Sequence, residues 1–241
     1  MLSRTPFSLR SLVLALSLAA STSLWAADPV TDALQKAYAP YRAALYKTNG
    51  KSQPEAQQAI TQAQAAWAQI VSQFGAQPAA PYDRDSRFGA SLAEVTKVYA
   101  KAAGEIGNNQ LTEAHGTLEH ARDVMADLRK RNQVIVFSDH MNAYHAEMEH
   151  VLIDGSKMID EPQGLLRLTA LAGGLDYLAK RLSAEAPAEL ANNGEFVALV
   201  NAVEQSVAGL KTALFAQDAT AVKAAMSKIK GPYGKLFAKF G

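Results

Sequence analysis

Apolar side chains along this chain recur at intervals of three and four, the spacing that lines one face of an α-helix. Leu34, Tyr38, Tyr41 and Leu45 make the first stripe, which passes Pro40, an expected kink, and ends at Asn49-Gly50. Ile60, Ala63, Trp67, Ile70 and Phe74 make the second, opened by the capping-box spacing of Ser52 and Glu55 and stopped by Gly75. A loop from Ala76 to Arg87 follows, with Asp83 and Asp85 reading as turn and cap chemistry. Phe88, Leu92, Val95, Tyr99, Ala102 and Ile106 then predict a third helix, and Leu111, Ala114, Leu118, Ala121, Met125 and Leu128 a fourth. Val134 to Phe137 is the one stretch with an extended signature, and it reads as a connector.

The fifth helix is predicted over Ser138 to Ile153, with Ser138 as N-cap, Asp139 at the positive helix end and Asp154-Gly155 as the stop. The sixth opens at Asp160 and carries Leu165, Leu168, Ala172, Leu175 and Ala179. Gly173-Gly174 inside it points to a close backbone approach, since two glycines cost about 2 kcal/mol of helix propensity. A loop from Ser183 to Gly194 precedes a seventh stripe, Phe196, Val200, Val203, Val207, Leu210 and Leu214. The eighth is Val222, Met226, Ile229, Tyr233, Leu236 and Phe240, with a kink expected at Gly231-Pro232.

A shift of 108 positions lays Leu118, Ala121, Met125 and Leu128 on Met226, Ile229, Tyr233 and Leu236, so the two sets of four helices read as a repeat. The expected fold is all-α: eight amphipathic helices as two tandem up-down four-helix bundles, spanning 27–132 and 133–241.

The first 26 residues change the compartment. Arg4 and Arg10 flank an apolar run from Leu12 to Ala20, followed by small residues, which reads as a secretory signal cut after Ala26 and implies a periplasmic destination. Its apolar run is too short for a membrane span. Without it the formal charge falls from +1 to −1, because it holds two arginines and no acids. A near-neutral chain with interspersed charge offers no footprint for nucleic acid. Cysteine is absent, which excludes disulfides, thiolate metal sites and thioether-linked haem.

Chemistry concentrates in one segment. All five histidines lie between positions 115 and 150, and the fifth helix holds three of them with two methionines. Met141, Tyr144, His145 and Met148 share one face of it, and imidazole with thioether suits soft and borderline metals. If the fourth and fifth helices form a hairpin turning at Asn132-Gln133, His120 lies level with His145, His115 with His150, and Met125 with His140. Helical geometry puts His115 and His120 on opposite shoulders of the fourth helix and turns His150 away, so the five do not converge on one ion. The candidate set is therefore Met141, His145 and Met148, with Met125 and either His120 or His140. His115 and His150 would serve an outer access route or a second site. Thioether with imidazole favours copper, and the pairs His115/Glu119 and His145/Glu149, each at i, i+4, favour iron or zinc. No Gly-rich phosphate loop, Gly-x-Ser-x-Gly elbow or His-Glu-x-x-His is present, so no enzymatic chemistry is indicated.

The run Ala-Gln-Asp-Ala-Thr-Ala-Val-Lys-Ala-Ala-Met226, ahead of a basic and aromatic last helix, resembles the C-terminal half of the small periplasmic cytochrome bundles, the soluble b-type and c-prime families. The resemblance covers about the last fifty residues and implies a helical bundle in the same compartment. Those families hold haem through a histidine near the end of the last helix, where this chain has Phe237, and Arg129 in the corresponding place of the first bundle. The departure argues against haem held in that way. The functional expectation is an exported, non-enzymatic metal-binding protein, copper ahead of iron or zinc. Its role would be carriage, storage or delivery beside a periplasmic or membrane metal-handling partner. The alternative is a bundle that binds haem, an apolar ligand or a protein partner, with the histidines incidental.

Overall fold

The structure, a computed structural model, describes residues 28–50 and 52–241; the expected signal segment lies outside them. All regular structure among the described residues is helical. The first bundle comprises α1 (Pro29–Asn49), α2 (Gln53–Phe74), α3 (Phe88–Gly107) and α4 (Leu111–Arg131), each packed on the next, with α4 returning to α1. The second comprises α5 (Phe137–Met158), α6 (Gly164–Ala184), the short α7 (Ala188–Ala191), α8 (Gly194–Phe215), α9 (Ala219–Met226) and α10 (Lys230–Phe240). Here α5 packs on α6, α6 on α8, and α8 on α9 and α10, with α10 returning to α5 and also reaching α1. No described helix is long and apolar enough to cross a membrane.

The expected stripes are the buried faces. The shift of 108 pairs buried residues throughout, Leu118 with Met226 and Met125 with Tyr233 among them. The predicted eighth helix is interrupted at Ser227–Ile229, where the N–H groups of Lys228 and Ile229 bond three residues back, to Ala225 and Met226. The stripe survives the break, because Met226, Ile229 and Tyr233 are all buried. Pro232 falls in the first turn of α10, where a missing N–H costs nothing. The turns after α3, α4 and α8 place Asn109, Gln133 and Gln217 at positive φ, with 6→1 bonds such as Gln110 N–H to Glu105 O at 2.8 Å. These helices thus end in the left-handed cap usually given to glycine.

Two boundaries of α5 differ from expectation. Its N-cap is Val136 rather than Ser138, since the Asp139 carboxylate accepts the Val136 N–H at 3.0 Å. The same carboxylate takes the buried Arg129 guanidinium, Nε at 3.0 and 3.1 Å from its two oxygens, which ties the end of α4 to the start of α5. At the other end the helix runs through Gly155 to Met158. Gly155 is a packing residue: a Cβ there would stand 2.6 Å from Leu168 Cδ1 on α6. That close approach had been expected at Gly173-Gly174. Gly173 instead faces open space, and a Cβ on Gly174 would meet only the end of the Glu147 side chain.

A tyrosine joins the two bundles: Tyr38 on α1 donates to Asn142 Oδ1 on α5 at 3.3 Å. Within the second bundle Tyr233 on α10 donates to the Met141 carbonyl of α5 at 3.1 Å. Within the first bundle Tyr41 donates to the Leu118 carbonyl at 3.0 Å. The buried side chains of both bundles form one continuous cluster. Asp85, expected as turn chemistry, accepts Arg87 N–H at 2.9 Å and also receives Arg131 and Asn132, pinning the 76–87 loop to the end of α4.

Candidate functional site

Where α1, α4, α5 and α10 meet, the seam between the bundles opens into a cleft of about 510 Å³. The stripes of these helices cannot all be covered at such a four-way meeting, because each bundle has already closed its own ring. Leu45, Met148, Tyr233 and Phe237 form the apolar lining. His115, Glu119 and Arg122 of α4 face His145 and Glu149 of α5 across it, with Lys230 of α10 at the rim. Tyr46 and Ile153, large apolar side chains left substantially exposed, flank the mouth.

The polar groups are held in defined states. Arg122 donates Nη1 to His145 Nδ1 at 3.1 Å, so that nitrogen carries no proton. The Nε2–H of His145 then faces Glu149 Oε1 at 3.6 Å, beyond hydrogen-bond distance. Burial, and after it the neighbouring Arg122 charge, pushes the His145 pKa down to about 4, so the ring is neutral at ordinary pH. On α4, His115 Nδ1 stands 3.0 Å from the Leu45 carbonyl; that oxygen can only accept, which places the proton on Nδ1 and frees Nε2 as an acceptor or ligand atom. Asn49 Nδ2 approaches Nε2 at 3.3 Å. Arg122 is anchored further by Glu119 at 3.3 Å and by Asp123 at 3.1 Å, and Lys230 reaches Glu149 at 3.1 Å.

The expected His/Met constellation is dispersed. Met125, Met141 and Met148 are all buried as core side chains, and of these Met148 lines the cleft. His120 stands on the opposite shoulder of α4, more than half exposed, 3.5 Å from Glu94 of α3. His140 lies under the influence of Arg181 and Glu185, its pKa lowered by burial and then by Arg181. His150 is on the surface between Glu147 and Asp154. The level predicted for His145 on α4 is occupied by Arg122 rather than His120, because α4 and α5 pack only weakly and a long side chain is needed to span them. His115 meets His145 in the cleft, not His150.

The two His/Glu pairs at i, i+4 do come together. His115 with Glu119 and His145 with Glu149 line one cleft from opposing helices. As folded, no group of three or more histidine or acidic side chains among the described residues stands close enough to hold a metal ion. The two positions matching the cytochrome histidine do not fit haem: Arg129 is spent on Asp139, and Phe237 packs on Tyr233 with ring centroids 6.0 Å apart. Sequence reading missed Arg122 and Lys230, which carried no signal beyond being basic residues on helices. Comparison with family models, with curated proteins and with solved structures gives no match.

Proposed function

We propose that this protein is an exported, non-catalytic binding protein that holds a small molecule in the cleft between its two bundles. The observation that supports this most is the cleft's construction: an apolar lining beneath a ring of fixed donors and acceptors, at a volume within the range of small-molecule sites. Gly234 adds to it. This residue lies in the α10 interior, lines the cleft and has nothing within 4 Å of where a Cβ would stand. An interior glycine costs about 1 kcal/mol against alanine, and here no packing contact requires it. A larger side chain at 234 would take up room on the cleft wall, starting from a Cβ that meets nothing within 4 Å.

Native mass spectrometry of protein isolated from its own compartment tests the reading. Wild type should carry an adduct that Gly234→Leu lacks, with both folded by circular dichroism. Equal adducts on both, or none on either, would sink it.

A second reading, metal carriage or delivery to a metal-handling partner, draws support from the two His/Glu pairs and Met148 lining one cleft, which would have to close for three of them to reach one ion. The Nδ1–H of His115 held by a backbone carbonyl is the arrangement that orients a ligating Nε2. Two carboxylates with two imidazoles shift the expected ion from copper toward iron or zinc. Chelator-stripped protein titrated with Cu(I), Cu(II), Fe(II) and Zn(II) should gain about 4 kcal/mol at a thousandfold excess over Kd if this holds. An unchanged melting temperature with all four ions removes it.

A further inference from the structure

Gly173 serves no packing role inside its own chain. It lies in the interior of α6, where a Cβ would meet nothing within 4 Å among the described residues, and with Gly174 it costs about 2 kcal/mol of helix propensity. Leu166, Ala170, Gly173 and Tyr177 recur at i, i+4, i+7 and i+11, so they form one ridge, opposite the buried Leu168, Leu175 and Ala179. At its two ends Leu166 is 64% and Tyr177 62% exposed. Phe215 of α8, 69% exposed, extends the patch. The bonds of Lys211 to Asp176 and of Ser183 to Glu204 set α6 and α8 antiparallel, and the same register places Phe215 level with Ala172 and Gly173. Large apolar side chains thus flank a gap, on two helices that take no substantial part in the seam. Apolar side chains exposed singly are ordinary, whereas a contiguous patch marks an interaction surface.

The patch is complementary to itself when reversed. If two copies of α6 run antiparallel and cross between Leu171 and Ala172, facing positions have numbers that sum to 343. Leu166 then meets Tyr177 of the second copy, and Ala170 meets its Gly173. Small residues at the crossing let the helix axes approach until the large residues at either end engage. Phe215 stands at nearly the level of the crossing, so the two copies of that ring come side by side. Charge follows the same symmetry. The Glu147 carboxylate of α5 stands over Gly174, with Oε1 3.3 Å from where a Cβ would be. Its one ionic neighbour among the described residues, His150 Nδ1, is 3.7 Å away, beyond hydrogen-bond distance. Arg167, more than half exposed, lies on the same flank of α6 as Gly174. Reversal brings the second copy's Arg167 within a helical turn of that level, so a guanidinium reaches a carboxylate that its own chain leaves without a donor.

We infer that this face of α6 pairs with the same face of a second copy of the chain, antiparallel, about a two-fold axis between Leu171 and Ala172. Such a contact is isologous and closes as a dimer. One helix and its flank make a small interface, below about 1,200 Å², so the dimer forms in the range of roughly 10 μM. Sedimentation velocity of a chain beginning at Ala27, over roughly 1–300 μM, should show a reversible monomer–dimer equilibrium. Gly173→Leu, which meets nothing in its own chain, should weaken it about tenfold or more with circular dichroism unchanged. Arg167→Glu should weaken it too, by setting like charges together. The chain has no cysteine, so single introduced thiols report the register. Leu166→Cys mixed with Tyr177→Cys should cross-link on oxidation. Leu166→Cys alone should not, because the two copies of position 166 lie about 16 Å apart along the axis, eleven residues at about 1.5 Å each. A monomer at every concentration overturns the pairing. A dimer indifferent to Gly173→Leu places the contact elsewhere and overturns it as well, and so does self-cross-linking of Leu166→Cys, which would mean parallel helices.

Discussion

His145 is the residue whose surroundings make the clearest claim on measurement. An unfolded imidazole takes its proton near pH 6.5, whereas the folded one resists until about 4. Between those values the unfolded chain holds more protons, so stability rises with pH across the window. It is complete above 6.5 and lost as pH falls to 4. The full separation corresponds to about 3 kcal/mol, an upper figure for a ring that keeps some solvent contact. Arg122 and Lys230 oppose protonation, while Glu149 and Glu119 favour it, so the net shift reflects burial first. Urea unfolding of wild type and His145→Gln at pH 4 and pH 7 should show the wild type losing on the order of 2–3 kcal/mol more than the variant. Equal losses would mean that the ring is protonated in the folded protein and reorganises its contact with Arg122. The same residue shows what a periodic reading can extract. Its position on the α5 face was legible; its neutrality was not, because that depends first on how the fold buries the ring and then on a guanidinium 23 positions away.

At the level of helices, the glycines separate local preference from packing. Gly155 and Gly173 are both helical, and sequence context marked the first as a stop and the second as a contact. The fold reverses these roles, since Leu168 presses on Gly155 while Gly173 faces solvent. Gly155→Ala should cost about 1–3 kcal/mol, as Leu168 must leave its rotamer in a filled core. Gly173→Ala should instead gain about 0.5–1 kcal/mol, because it reduces the entropy lost on folding and touches nothing. Chemical denaturation of the two variants checks both signs, and a stabilising Gly155→Ala would contradict the packing. The break between α9 and α10 belongs to this scale too. The apolar stripe runs through it unbroken, so hydrophobic period alone cannot reveal that Lys228 and Ile229 bond three residues back there instead of four.

Across the whole molecule, the decisive feature is the seam. Tyr38 of α1 bonds across it to Asn142 of α5 with its ring buried, and the buried side chains of the two bundles form one cluster, so separating the bundles would break that bond and expose apolar surface. Trp67 lies in the first bundle, far in sequence from the second. Its fluorescence and the far-ultraviolet circular dichroism of a chain beginning at Ala27 should therefore report one coincident urea transition. Two separated transitions would mean that each bundle is stable without the other. The cleft is a product of this joining, as it takes its walls from α1 and α4 on one side and from α5 and α10 on the other.

The all-helical class and the buried face of each long helix followed from periodicity, because a 3.6-residue repeat is a local property that each segment carries alone; the short α7 and the split of the last stripe into α9 and α10 did not. Asn109, Gln133 and Gln217 in left-handed caps were less readable, since glycine is the usual marker of that conformation. The His/Glu pairs were visible as spacings within α4 and within α5. Their meeting in one cleft and the exclusion of His120 and His140 from it were decided by how the bundles pack against each other. That packing involves side chains from four helices at once, and no single stretch of sequence encodes it.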